Sequence, residues 1–296
     1  MSVKFRRYKL LADFEKVNKY LTDAYNMETL NGYLLPQYFE YAHTHTLFNF
    51  KLAHRFGLWE NENEIVGIAC YDMYPGECFI SVKNGFSSLL PEMISYSQEY
   101  LSETDNGKTS LAISITDKEI EKKELLEKSG YIKVKSEPAT VFSYETPFPH
   151  QILPEGFSVI SLEDENDFKK INDCLWYGFN HGPDPDPDND IDSRMLMQSG
   201  PNFRKDLTTI IKSPDGEYAC YAGMWFDSRN NYAYLEPLAT VPKYRRMGLA
   251  TIALVEGMKK TKKLGAKYCF GGTGEFYESI GFYAIMNREL WKKEWQ

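Results

Sequence analysis

In the last third of this 296-residue chain, Arg245-Arg246-Met247-Gly248-Leu249-Ala250 stands between two kinds of periodicity. Before it, Tyr234 to Val241 is β-like and ends at the turn Pro242-Lys243-Tyr244. After it, Leu249, Ile252, Ala253 and Met258 make an apolar stripe at helical spacing. A strand, a turn and a helix joined in this way form an anion site. The first turn of a helix has N–H groups without partners and a partial positive charge. Gly248 and Ala250 carry little or no side chain, so a pyrophosphate can come close to the backbone. Arg245 and Arg246 add charge at the mouth. Lys259, Lys260, Lys262 and Lys263 crowd the other end of the helix, where cations are favoured, and Gly265 stops it.

A second landmark follows: Phe276-Tyr277-Glu278-Ser279-Ile280-Gly281-Phe282, a short helix with an aromatic-Tyr pair that ends at Gly-Phe. With both segments in this order, the sequence resembles the GNAT superfamily of acyl-CoA-dependent N-acyltransferases. That family's signature is Arg/Gln-x-x-Gly-x-Gly/Ala after a strand and a proline turn, and Arg245, Gly248 and Ala250 fill its three defined positions. The resemblance implies acetyl-CoA as cosubstrate, with its pyrophosphate gripped by Arg245, Arg246, Met247, Gly248, Leu249 and Ala250. It also implies that Leu238, Ala239 and Thr240 lend backbone groups to the pantetheine arm, which docks like an added strand. Tyr277 stands where the family usually has a catalytic tyrosine, able to protonate or hydrogen-bond the departing thiolate. Its other reading is a ring that packs on the cofactor and moves no proton. Glu236 lies on the strand where many relatives carry a carboxylate that takes the amine proton; a structural hydrogen-bonding role is the alternative. One departure stands out. Many relatives have an Asn on the strand before the tyrosine helix, and this chain has Phe270-Gly271-Gly272-Thr273-Gly274.

The elements that must hold these residues occur twice. Asp13-Phe14-Glu15-Lys16-Val17-Asn18 is echoed by Asp167-Phe168-Lys169-Lys170-Ile171-Asn172, and each reads as an amphipathic helix after a short strand. Leu125-Leu126-Glu127-Lys128-Ser129-Gly130-Tyr131 is echoed by the Phe276 to Phe282 landmark at nearly the same spacing. Thr146 to Glu155, with Pro147, Pro149 and Pro154, reads as a linker. The expected fold is α/β, two tandem GNAT-like domains, each a mixed, mostly antiparallel sheet flanked by helices. Residues 1–145 form a degenerate copy, 146–155 the linker and 156–296 the catalytic copy. The first copy has no Arg-x-x-Gly-x-Gly/Ala, and Leu126 stands where Tyr277 stands in the second. It is therefore expected neither to bind acetyl-CoA nor to catalyse, but to pack against the active domain and wall the acceptor cleft.

Composition bounds the partners. A length of 296 residues suggests about two domains. The net charge of −8 repels phosphate backbones, so nucleic acid is not expected, and cationic small molecules are favoured. Five widely spaced cysteines suggest neither a disulfide framework nor a metal site. No run approaches the roughly 20 apolar residues of a membrane helix, and Met1 to Leu10 does not read as a signal peptide, so no membrane partner and a cytoplasmic location are expected. The acceptor is read as a primary amine of a small molecule. The stretch Gly178 to Asp192, with alternating Asp and Pro from Asp184, is either a solvated loop or an acidic ribbon that steers a cationic amine. A monomer or weak homodimer is expected. The other functional readings are a non-catalytic acyl-CoA sensor or scaffold, which would not need Glu236 and Tyr277, and aminoacyl transfer from tRNA, which the acidic charge opposes.

Overall fold

The computed structural model describes residues 3–183, 185 and 190–296. They form two compact units, one made of residues 1–138 and 286–296, the other of residues 139–285. The expected division at 146–155 differs from this, because the closing strand of each unit comes from the other half of the sequence.

Unit 1 runs β1 (Lys4–Arg7), α1 (Leu10–Asp23), α2 (Pro36–His43), β2 (Gly57–Asn61), β3 (Glu64–Tyr71), β4 (Glu77–Val82), α3 (Leu90–Tyr100), β5 (Glu103–Asp105), β6 (Lys108–Thr116), α4 (Ile120–Lys128) and β7 (Ile132–Ser143). Strands β1 to β4 pair antiparallel in sequence order, β4 pairs parallel with β6, and β6 pairs antiparallel with residues 288–295 at the C-terminus. The α1 face carrying Val17 and Leu21 is buried, as the periodicity requires. Asp13, inside the first turn, accepts the Lys9 N–H at 2.8 Å and holds Arg6 through two hydrogen bonds. Its sequence echo Asp167 is an N-cap instead, accepting from the Lys170 N–H at 3.1 Å.

Unit 2 continues with β8 (Ser158–Ser161), α5 (Phe168–Gly178), α6 (Asp190–Met197), β9 (Thr209–Lys212), β10 (Tyr218–Asp227), β11 (Tyr232–Thr240), α7 (Leu249–Lys263), β12 (Tyr268–Gly271), α8 (Glu275–Ser279) and β13 (Tyr283–Trp295), whose last ten residues belong to unit 1. Its strands follow the same order: β8, β9, β10 and β11 antiparallel, β12 parallel to β11, then residues 140–143 of β7 antiparallel to β12. Leu249, Ala253, Leu254 and Met258 of α7 bury against Cys220, Ala222, Met224 and Leu235 in the core of this unit. Gly130, Gly265 and Gly281 take φ of +82°, +105° and +102°, so the helices stop where the sequence has glycine. Among the described residues no helix is long and apolar enough to cross a membrane.

Candidate active site

The site of unit 2 begins where β11 and β12 part. Their parallel pairing covers only Tyr232, Ala233 and Tyr234 of β11. From Leu235 to Thr240 the strand has β10 on one side and, among the described residues, no ladder partner on the other. The Val241 N–H donates to Ala219 O at 3.0 Å, which fixes the alternation. Leu238 and Thr240 turn their backbone groups to the open edge, and Ala239 turns its own toward β10. Of the three residues expected to offer backbone groups, Ala239 thus turns its own away from the open edge. Ala239 instead packs its methyl against α5, where a Cβ on Gly178 would lie 2.7 Å from it.

A bulge interrupts β11. The step from Ala222 to Met224 on β10 faces the longer step from Leu238 to Leu235, and the extra residue falls at the cis peptide Glu236-Pro237. Gly223 is required opposite it, because a Cβ there would lie 2.4 Å from Glu236 O. The indole of Trp225 donates to the same carbonyl at 3.0 Å. Leu235 and Leu238 therefore both pack toward α7, and the half-buried Glu236 stands between them.

The loop into α7 is shaped by two left-handed residues, Arg246 at φ +63° and Gly248 at φ +78°. Gly248 is the N-cap, and no side chain caps the helix. The Ile252 N–H donates to Gly248 O at 3.1 Å, so the N–H groups of Leu249, Ala250 and Thr251 ahead of it have no helical partner. Arg246 and Met247 are exposed at this mouth. Arg245 has a more specific task than adding charge. Its guanidinium donates to Thr240 O (3.1 Å), Gly178 O (2.8 Å) and Asn180 Oδ1 (3.1 Å), tying the end of β11 to the end of α5.

Tyr277 is held by rings and by a glycine. Phe276 and Phe282 meet it edge-on with centroids at 5.0 and 5.4 Å. A Cβ on Gly272 would fall 2.5 Å from its Cε2 and 2.9 Å from its hydroxyl, and one on Gly271 would fall 2.3 Å from the Phe282 ring. The Gly271-Gly272 pair is thus the seat of these two rings. A pair of glycines ahead of two aromatic landmarks was the signal, and sequence reasoning did not use it. Burial raises the Tyr277 phenol above its ordinary value, and the Glu236 carboxylate raises it further. The two catalytic candidates are therefore electrostatic neighbours.

The acidic stretch after α5 is only partly within the described residues. Trp176 donates to Gly182 O at 3.2 Å and faces the His181 ring at 5.4 Å. Asp184, Asp186 and Asp188, on which steering of a cation would rest, lie outside the described residues.

Unit 1 has the corresponding opening. Strand β4 pairs with β6 only through Glu77, Cys78 and Phe79. The next carbonyl facing the gap, Ile80 O, accepts the Lys122 ammonium at 2.7 Å, and Lys122 also bonds Glu119 Oε1 at 2.5 Å. Lys122 and Glu119 side chains are 3% and 8% exposed. Leu126, at the place of Tyr277, is buried in the core.

Residues 168–286 match the model of the acetyltransferase (GNAT) family. Three solved structures extend the likeness to the whole chain at the level of fold. A GCN5-related N-acetyltransferase from Sphaerobacter thermophilus is 15% identical, with TM-score 0.60 over 99% of this chain and 95% of that one. A tandem GNAT protein from the clavulanic acid biosynthesis pathway, solved without AcCoA, is 11% identical, with TM-score 0.61 over 99% and 98%. A GNAT-family acetyltransferase from Colwellia psychrerythraea is 13% identical, with TM-score 0.58 over 99% and 100%. No curated protein matches the sequence. Residues 168–286 thus match the GNAT acetyltransferase family model, in a chain with the fold of a tandem GNAT protein.

Proposed function

We infer that unit 2 is an N-acetyltransferase that moves an acetyl group from acetyl-CoA to a primary amine of a small acceptor, and that unit 1 does not catalyse. The observation that carries this reading is one edge with three features. Open backbone groups at Leu238 lead past Thr240, whose carbonyl Arg245 holds, to the uncapped N-terminus of α7, and Glu236 and Tyr277 stand beside them as an electrostatic pair. A pantetheine arm pairs with such an edge as a strand would. The pyrophosphate meets the free N–H groups of α7 and the positive end of its dipole.

The residues divide the chemistry as follows. Glu236 takes the proton from the ammonium form of the acceptor, because only the free amine has a lone pair for attack. The amine nitrogen bonds to the thioester carbon and gives up its second proton to solvent, the carbon–sulfur bond breaks, and the sulfur leaves as thiolate. Tyr277 donates a hydrogen bond to that thiolate. A thiol titrates near 8.5 and the buried phenol above its own ordinary value, so complete proton transfer to sulfur is uphill. Hydrogen bonding to the developing charge is the role its environment suits. The net charge of −8 favours a cationic acceptor.

Calorimetric titration of acetyl-CoA tests the reading. One site per chain is expected in the wild type, with affinity about tenfold weaker in Arg246→Glu, which reverses a charge at the loop mouth without touching the core. Substitution at Gly248 would be a poorer test, since its φ of +78° strains any other residue whether or not a ligand binds. An amine library with thiol release as readout then follows. Absence of binding to the wild type would overturn the reading, and binding without thiol release from any amine would turn it into a sensor.

A further inference from the structure

The segment after β7 runs along α7 from its last turn to its first. Phe148 stacks on Phe142 with centroids 5.7 Å apart, and Lys262 from the last turn of α7 lies over it at 5.2 Å. At the other end, Phe157 meets edge-on the ring of Tyr244, just before the loop into α7, at 5.7 Å. Between these anchors Leu153 packs on the core of unit 2.

This path lays Gln151 across the Gly248 N-cap. The position a Gly248 Cβ would take is 3.1 Å from Gln151 Oε1, 3.5 Å from Cδ and 3.6 Å from Cγ. The missing side chain of Gly248 therefore makes room for the glutamine as well as for a ligand. Gln151 is exposed, and among the described residues its carboxamide makes no hydrogen bond. Its two N–H donors and its acceptor oxygen are uncommitted at the mouth of a helix that no side chain caps.

We propose that Gln151 is a positioning residue for the donor, its Nε2 donating to a pyrophosphate oxygen held at the N-terminus of α7. This rests on the acyl-CoA reading of the same site. A neutral amide suits the place. It can donate to an anion through Nε2 or accept from a helix N–H through Oε1. A glutamate would satisfy the empty helix and repel the ligand.

Acetyl-CoA affinity in Gln151→Ala, Gln151→Glu and Gln151→Lys tests this by calorimetry, with the thermal midpoint of each ligand-free variant as the second readout. The expected order of dissociation constants is Glu, Ala, wild type, Lys, from weakest to tightest. Alanine loses about tenfold for one hydrogen bond to a charged group, and glutamate loses more. The alanine midpoint stays at the wild-type value because the side chain is exposed, and glutamate, which suits the empty helix end, raises its own slightly while weakening the ligand. A structural role would not follow the order of charge. Equal affinities in all four proteins, or losses that track the midpoints, would overturn the proposal and leave the acyl-CoA reading intact. A wild type that does not bind acetyl-CoA would bring down both.

Discussion

In unit 1, β4 and β6 part after Phe79, and the carbonyl of Ile80 that faces the gap is held by the Lys122 ammonium. In unit 2, β11 and β12 part after Tyr234, and beyond the bulge the carbonyl of Leu238 faces the gap with no side chain of the described residues donating to it. The two openings come from one strand order, and their contents are opposite. One is closed by the chain's own cation with a buried carboxylate beside it. The other is lined by a phenol and a carboxylate and ends at an uncapped helix. A splayed pair of strands leaves backbone groups that need partners. A lysine from the neighbouring helix meets that need permanently in unit 1, whereas a ligand can meet it in unit 2.

The largest effect should come from removing that lysine. Lys122→Ala leaves Glu119 buried without its cation, and breaking such a pair costs about 3–5 kcal/mol. Denaturant unfolding should show it as a lower midpoint. The double variant Lys122→Met with Glu119→Gln removes both charges and should recover most of the loss. Acetyl-CoA affinity, proposed for unit 2, should not move in either. An alanine variant with the wild-type midpoint would mean that this pair does not hold the gap shut.

Next in size is the phenol of the open site. Tyr277→Phe should lower turnover about a hundredfold and leave the acetyl-CoA dissociation constant within about twofold. Gly272→Ala should do much the same through position alone, since its Cβ would lie 2.5 Å from the Tyr277 ring. Because burial and Glu236 raise the phenol, its titration should not appear in the rate profile below about pH 10. Unchanged turnover in Tyr277→Phe would make the ring a packing element.

Much of this was legible in the residues. The doubled helix pattern gave the tandem copies, and the signature at Arg245, Gly248 and Ala250 predicted a loop that does open a helix. Leu126 in place of Tyr277 marked the copy without a phenol. What was not legible depends on register and on distant partners. The bulge at Glu236-Pro237 is visible only once β10 is paired with β11. The engagement of Arg245 with Gly178 and Asn180 needs α5 in place. Lys122 sits among glutamates and lysines in α4, and nothing in that run marks it as the charged side chain turned inward beside Leu126. The exchange of terminal strands between units leaves no local trace, because β7 and β13 would read the same wherever they paired.

The smallest effect separates the units by acid. His43 is buried in unit 1, 7% exposed, between the rings of Phe39 and Phe48 at 4.2 and 4.3 Å. Its Nδ1–H donates to Phe39 O at 2.8 Å, and its Nε2 faces the Tyr8 hydroxyl at 3.3 Å. Burial pushes its titration down to about 4. The unfolded chain binds that proton near 6.5, so the unfolded state is favoured progressively as pH falls from 6.5 toward 4. The stability lost is about 2 kcal/mol at pH 5. Asp72 and Glu77, both raised by burial, act in the opposite sense over the lower part of this window. The comparison must therefore be between wild type and His43→Gln, whose amide can meet Tyr8 and Phe39 without titrating. Thermal unfolding from pH 7 to pH 5 should show the wild type losing more stability than the variant. Hydrogen exchange should place the difference in residues 1–138. Parallel curves for the two proteins would mean that His43 keeps its ordinary titration despite its burial.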